Sequence, residues 1–227
     1  VFGKSSTDAV DLDLDVLQGS DGFAMNRNVG TDLLGRSVSG AGDVNGDGMD
    51  DIIVGAPNAG GYGGPNVGYS FLVIGRSATS TIDLDSLEIN SEGFSIEGVG
   101  ISDHSGFSVS SAGDLDGDGL DDVIVGSYLG SSDIPTQAGK AHVVFGKSTF
   151  APVLLSDVDN EVGGFVASGV ASYDNLGTSV SSAGDFNGDG LDDVAIGSYR
   201  NPDSHSHGES GTIYIVLGAD LGTDSTI

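Results

Sequence analysis

The sequence predicts an all-β fold of propeller blades, each a four-stranded antiparallel sheet, with about three blades forming part of a larger propeller or assembly. Three observations lead there. An acidic nine-residue segment occurs at 43–51, 114–122 and 185–193, at a constant spacing of 71 residues, and a fixed period marks a repeat architecture. Each copy runs into a β-branched stretch, Ile52-Ile-Val-Gly, Val123-Ile-Val-Gly or Val194-Ala-Ile-Gly, which reads as a strand. Glycine supplies 39 of 227 residues without a collagen-like period, a composition that calls for many short strands and tight turns.

The likeness between copies extends beyond the acidic segment. Small, alternating residues precede it, in Leu34-Gly-Arg-Ser-Val-Ser-Gly, Gly106-Phe-Ser-Val-Ser-Ser and Leu176-Gly-Thr-Ser-Val-Ser-Ser, and form a first strand. The β-branched stretch is the second, ending in Gly55-Ala-Pro57, Gly126-Ser-Tyr128 or Gly197-Ser-Tyr199. After a variable Gly/Ser/Asn-rich stretch, residues 68–75, 139–146 and 211–218 supply a third strand, and Gly93-Phe-Ser-Ile-Glu97 and Gly163-Gly-Phe-Val-Ala167 a fourth. Four strands per unit make one propeller blade. The blades are expected at 34–100, 105–170 and 176–227, the last without its own fourth strand. Residues 1–33 are expected to form a partial blade, in which Val1-Phe-Gly-Lys-Ser5 matches a third strand and Gly22-Phe-Ala-Met-Asn26 a fourth. Open sheet edges template pairing, so the chain is expected either to belong to a longer array or to pair with other copies.

The acidic segments carry the chemistry. Calcium takes six to eight oxygen ligands, and alternate positions of a tight loop can supply them. The first copy offers the side chains of Asp43, Asn45, Asp47 and Asp51 with the carbonyl of Met49. The second offers Asp114, Asp116, Asp118 and Asp122 with the carbonyl of Leu120, and the third Asp185, Asn187, Asp189 and Asp193 with that of Leu191. A plain Asn-Gly or Asp-Gly hairpin turn accounts for the glycines. It leaves unexplained the acid at the first, fifth and ninth positions of every copy, because crowded carboxylates repel one another without a counter-ion. A helix-flanked calcium loop of twelve residues ends in a bidentate glutamate, whereas these segments run into strands. Three Ca2+ sites in β-hairpins are therefore expected, the 114–122 loop being the tightest because it holds four carboxylates.

Composition excludes several classes. A net charge of −27 with 7 Lys plus Arg argues against nucleic acid, whose phosphates need clustered cations. The chain has no cysteine, which removes disulfides and thiolate metal sites. No stretch approaches the roughly twenty apolar residues of a membrane span, so membrane insertion is not expected.

No catalytic residue is expected: the Gly-x-Ser-x-Gly, His-Glu-x-x-His and P-loop motifs are missing. His205 and His207 fall in a variable loop, His142 in a strand as a packing or cross-strand residue, and His104 in a turn. Arg36, Arg76, Lys140 and Arg200 are assigned to structural ion pairs. Phe71, Phe94, Phe107, Phe145, Phe165 and Tyr214 fall mainly on strand positions and are assigned to blade cores, and Tyr62, Tyr128, Tyr173 and Tyr199 lie in or beside loops.

The Phe/Leu-Gly, Asp-x-Asn/Asp-Gly-Asp-Gly-x-Asp-Asp and Gly-Ala-Pro elements together resemble FG-GAP repeats, the calcium-binding blades of integrin α-chain propellers, which also occur in large bacterial secreted and surface proteins. Gly-Ala-Pro stands intact once, at Gly55-Ala56-Pro57, and the first element is reversed at Gly106-Phe107. The resemblance implies a calcium-stabilised, non-catalytic binding or adhesion module, secreted or at the cell surface. Its partner would be a protein or glycan on the loop faces, or other copies through open blade edges. The alternatives are a subunit of a surface filament or sheet, and the accessory propeller of a secreted hydrolase or of a carbohydrate-binding protein.

Overall fold

The computed structural model describes residues 22–28, 30–60, 65–77, 80–130, 137–201 and 210–220. Strand β1 (Met25–Asn26) precedes a first blade of β2 (Ser37–Gly42), β3 (Asp51–Ala56) and β4 (Tyr69–Val73), followed by a short β5 (Ile82–Asp83), helix α1 (Leu87–Asn90) and β6 (Gly93–Glu97). The second blade repeats this order as β7 (Ser108–Gly113), β8 (Asp122–Ser127), β9 (Lys140–Val144), β10 (Val153–Leu154), α2 (Leu155–Val158) and β11 (Gly164–Ser168). The third contains β12 (Leu176–Gly184), β13 (Asp193–Asn201) and β14 (Ser210–Val216).

Within each blade consecutive strands pair antiparallel, giving the orders β2-β3-β4-β6, β7-β8-β9-β11 and β12-β13-β14. The fold is thus the expected set of blades, with one addition. The blades are clasped to one another by two-residue parallel pairs: Val153 and Leu154 of the second blade lie beside Ile96 and Glu97 of the first. Met25 and Asn26 pair in the same way with Ile82 and Asp83, so residues 25–26 stand to the first blade as β6 stands to the second.

The core lies between blades. One cluster joins Ala41, Val44, Ile53 and Leu72 of the first blade to Val109, Val123, Val125 and Leu155 of the second. Another joins Ala112, Leu115, Ile124 and Val143 to Leu176, Val194 and Ile196 of the third. Close approach at these seams explains the glycine near the end of the second strand in the first two blades. A methyl group on Gly55 would lie 2.0 Å from the carbonyl oxygen of Gly106, and one on Gly126 2.1 Å from that of Gly177. The Gly of Gly-Ala-Pro in one blade is therefore required by the Phe-Gly element of the next. At the same seams Ser37 Oγ donates to the Gly106 carbonyl at 2.9 Å and Ser108 Oγ to that of Gly177 at 2.8 Å.

Several single-residue expectations need correction. Phe107 precedes β7 rather than lying on a strand, and packs against Tyr128 with ring centroids 4.3 Å apart. Arg36 sits over that same Phe107 ring at 4.2 Å, where an ion pair was expected. Tyr199 lies inside β13 rather than in a loop, and Tyr214 on β14 is exposed instead of buried in a core. Arg76 does pair with Glu92, and Lys140 with Asp159 at 2.6 Å. Residues 1–5, Tyr62, His205, His207 and the Arg200 side chain lie outside the described residues.

Candidate metal centres

Each acidic segment is the loop of the hairpin between first and second strands, entered through a β-bulge. The register slips between Gly40 and Gly42, between Ser111 and Gly113, and between Ser182 and Gly184. A bulge bends the strand and re-aims its side chains, and here it turns the following aspartate into the loop.

The first aspartate then organises the turn. Asp43 accepts from the N–H of Asp47 at 2.9 Å and of Gly48 at 2.8 Å, and Asp114 from those of Gly117 and Gly119 at 2.9 and 3.1 Å. Asp185 does the same for Gly188, Asp189 and Gly190. The fifth-position carboxylates accept from the seventh N–H: Asp47 from Met49, Asp118 from Leu120 and Asp189 from Leu191. The ninth residue anchors the loop to the third strand. Asp51 accepts from Val44 N–H and Gly75 N–H, Asp122 from Leu115 and Gly146, and Asp193 from Phe186 and Gly218, all at 2.8–3.0 Å. Carboxylate oxygens carry two lone pairs each, so these bonds leave capacity for a cation.

Asp114, Asp116 and Asp118 bring one carboxylate oxygen each to within 4.8 Å of one another. In the other two loops an asparagine takes the third position and hydrogen-bonds its neighbour: Asn45 Nδ2 donates to Asp47 at 3.0 Å and Asn187 Nδ2 to Asp189 at 2.7 Å. The donors are all hard oxygens, the chemistry suited to Ca2+.

Crowding shows in the acidities. Burial pushes the Asp122 carboxyl up to about 8, against the two backbone N–H bonds that hold its anion and with help from Asp116 and Asp118. Asp51 is pushed up to about 6 for the same reasons, with Asp47 and Asp43 as its neighbours, and burial also raises Asp116. Exposed Asp189 moves the other way, held down by the Leu191 N–H and by Asn187. Positive charge close by, such as a cation in the loop, would favour the ionised form of Asp122.

Sequence reasoning passed over one residue, the eighth of each loop. Asp121 accepts at 2.7 Å from the N–H of Asp43 in the preceding blade, and Asp192 at 3.1 Å from that of Asp114. The signal was an acid repeated at that position in all three copies, masked by the assignment of its neighbour as the ligand.

Antiparallel blades in series, each with an oxygen-rich hairpin loop between its first and second strands, define a repeat protein of the β-propeller class. The FG-GAP repeat model matches residues 34–73, 105–144 and 176–216, together more than half of the chain, and the chain belongs to that family. It is similar to integrin alpha-5 of Xenopus laevis, 29% identical over 192 residues that cover 85% of this chain and 16% of that protein. It is similar also to integrin alpha-PS2 of Drosophila melanogaster, 28% identical over 194 residues, 83% of this chain and 12% of that one. A third relative, the phosphatidylinositol-glycan-specific phospholipase D of Bos taurus, is 34% identical over 171 residues, covering 73% of this chain and 18% of the enzyme. The chain thus spans less than a fifth of the length of these relatives. Among the described residues no helix is long and apolar enough to cross a membrane.

Proposed function

We propose that this chain is a calcium-stabilised, non-catalytic β-propeller module of binding or adhesion type that works outside the cell. The observation that carries the reading is the gathering of oxygen donors on three equivalent hairpin loops, with the Asp114, Asp116 and Asp118 carboxylates already convergent. Asp43, Asn45, Asp47, Asp51 and the Met49 carbonyl would hold one ion. Asp114, Asp116, Asp118, Asp122 and the Leu120 carbonyl would hold a second, and Asp185, Asn187, Asp189, Asp193 and the Leu191 carbonyl a third. The ion supplies charge neutralisation, and its binding free energy adds to folding. The resemblance to integrin α-chains supports the adhesive role and the extracellular setting, and the hairpin position of the loops supports a structural use of the metal.

Excess chelator is expected to lower the melting temperature. A single site saturated a thousandfold above its Kd stabilises by about 4.1 kcal/mol, or roughly 8–16 °C for a chain of this size; a melting temperature indifferent to chelator overturns the reading. The 114–122 loop, with four carboxylates, is expected to bind most tightly, and Asp116→Ala should abolish the strongest phase of a calcium titration. The binding role is tested by probing immobilised chain with glycan and extracellular-protein arrays, in calcium and in chelator. A second reading, an accessory propeller within a larger secreted hydrolase, is favoured by the phospholipase D relative. Sequence on either side of these residues distinguishes the two.

A further inference from the structure

Resting on the calcium reading above, we propose that two eighth-position aspartates, Asp121 and Asp192, are positioning residues that act across the blade boundary: Asp121 sets the cation site of the 43–51 loop, and Asp192 that of the 114–122 loop.

The geometry is a two-sided clamp on the first ligand of the preceding loop. Asp121 takes the Asp43 N–H on its carboxylate at 2.7 Å, and its own N–H donates to the Asp43 carbonyl at 3.2 Å. Asp192 holds Asp114 in the same way, at 3.1 and 3.2 Å. The grip continues one residue on, where Lys147 N–H donates to the Val44 carbonyl at 2.9 Å and Ala219 N–H to that of Leu115 at 3.0 Å. Because Asp43 and Asp114 themselves organise the turns that bring the other donors together, fixing their main chain fixes the cage. The glycine before each first ligand makes room for the clamp. Gly42 and Gly113 have φ of +75° and +68°, and a methyl group on either would stand 2.2 or 2.1 Å from the clamping Oδ2 of Asp121 or Asp192. Gly184 has the same conformation, φ +62°, with open space before it.

The clamp makes the 43–51 and 114–122 sites dependent on their successors. In these two loops the first ligand is held by the following blade, so calcium affinity reports packing between blades as well as the loop sequence. Residues that orient metal ligands typically change affinity by about 10–100-fold when removed.

The test follows the loop glycine amides, 46 and 48, 117 and 119, 188 and 190, in 1H–15N spectra while calcium is added to the full chain. The expected result is displaced by one blade. Asp121→Ala should weaken binding at 43–51 by about tenfold or more while its own loop changes by less than about twofold. Asp192→Ala should weaken 114–122 in the same manner, and Asp50→Ala should leave all three loops as they were. Asp121→Asn retains an oxygen acceptor and should restore the 43–51 affinity, which a role through negative charge would not allow. Gly42→Ala, which pushes on the same contact from the other side, should reproduce Asp121→Ala and serves if that variant does not fold. Weakening confined to the mutated loop, an equal loss from Asp50→Ala, or no rescue by asparagine would overturn the proposal. Wild-type glycine amides that ignore calcium would instead overturn the calcium reading, and the coupling with it.

Discussion

The second blade is enclosed by neighbours on both sides, whereas the third, built on the same motif, presents one face to solvent among the described residues. The difference is sharpest at the second loop position. Val44 and Leu115 are 1% and 3% exposed, because the next blade covers them, but Phe186 is 70% exposed. On the third strands, every residue of β9 is buried, while Ile213, Tyr214 and Ile215 of β14 are exposed. Yet the loops themselves make the same hydrogen bonds in both blades, from the first aspartate to the glycine amides and from the ninth to the third strand. The motif fixes the hydrogen bonds within the loop, and the neighbouring blade adds the grip on its first aspartate and the burial around it. Burial leads the causes that push Asp122 up to about 8.

The comparison breaks most readily at Leu115 and Phe186. Leu115 lies in the seam with Ala112, Ile124 and Val194, and Leu115→Ala is expected to cost about 2–5 kcal/mol by cavity formation. Phe186→Ala should stay within about 0.5 kcal/mol, as surface substitutions do. Urea denaturation of both variants in saturating calcium checks the pair. Equal losses would mean that Phe186 is covered in solution, and that the two blades are not different in kind.

A subtler contrast uses two glycines of matching conformation. Alanine at either Gly113 or Gly184 must adopt a positive φ, at roughly 1–2 kcal/mol. At Gly113 the new methyl also meets the Asp192 carboxylate, and dislodging that acceptor adds about 1–3 kcal/mol. Gly113→Ala should therefore be the more damaging of the two in the same denaturation assay. Matching costs would show that the seam yields easily there.

What the sequence made legible was whatever repeats with a strong local signature. The acidic loops, the β-branched second strands and the four-strand unit were readable because ligand spacing and strand patterning are local. The parallel clasps were not: Ile82-Asp83 and Val153-Leu154 are too short for alternation to register, and α1 and α2 are single turns below any helical period. Side-chain environment was equally hidden. Phe71 and Tyr214 occupy the same register position opposite Val54 and Ile196, and only the surrounding blades decide that the first is buried and the second exposed. The clamping role of Asp121 depends on the following blade meeting the preceding loop, a contact that no single loop sequence encodes.

That same register position carries the smallest predicted effect, in the second blade, where it is His142 opposite Val125. His142 Nε2 lies 2.9 Å from Asp159 Oδ1, and Lys140 Nζ lies 2.6 Å from the other oxygen of that carboxylate. Burial lowers the imidazole below its ordinary 6.5, outweighing the hydrogen bond and charge of Asp159; Lys140 pushes the same way and Asp103 against it. Between the lowered value and 6.5 the unfolded chain binds more protons than the folded one, so this contribution to stability is whole above pH 6.5 and is lost as pH falls through the folded value. Asp159 acts in a separate window. Burial raises its carboxyl, but His142 and Lys140 together hold it below the ordinary 3.8, so its contribution survives to lower pH. His142→Phe, which installs the residue of the first blade, should remove the upper window, a slope of at most about 1.4 kcal/mol per pH unit, and leave the lower one with the Lys140 pair. Across pH 7.5, 6.5 and 5.5, about the ordinary histidine value, the wild-type urea midpoint should fall relative to that of the variant as pH falls. Parallel profiles would mean that His142 titrates alike in the folded and unfolded chain, and that enclosure by neighbours does less to the second blade than its geometry implies.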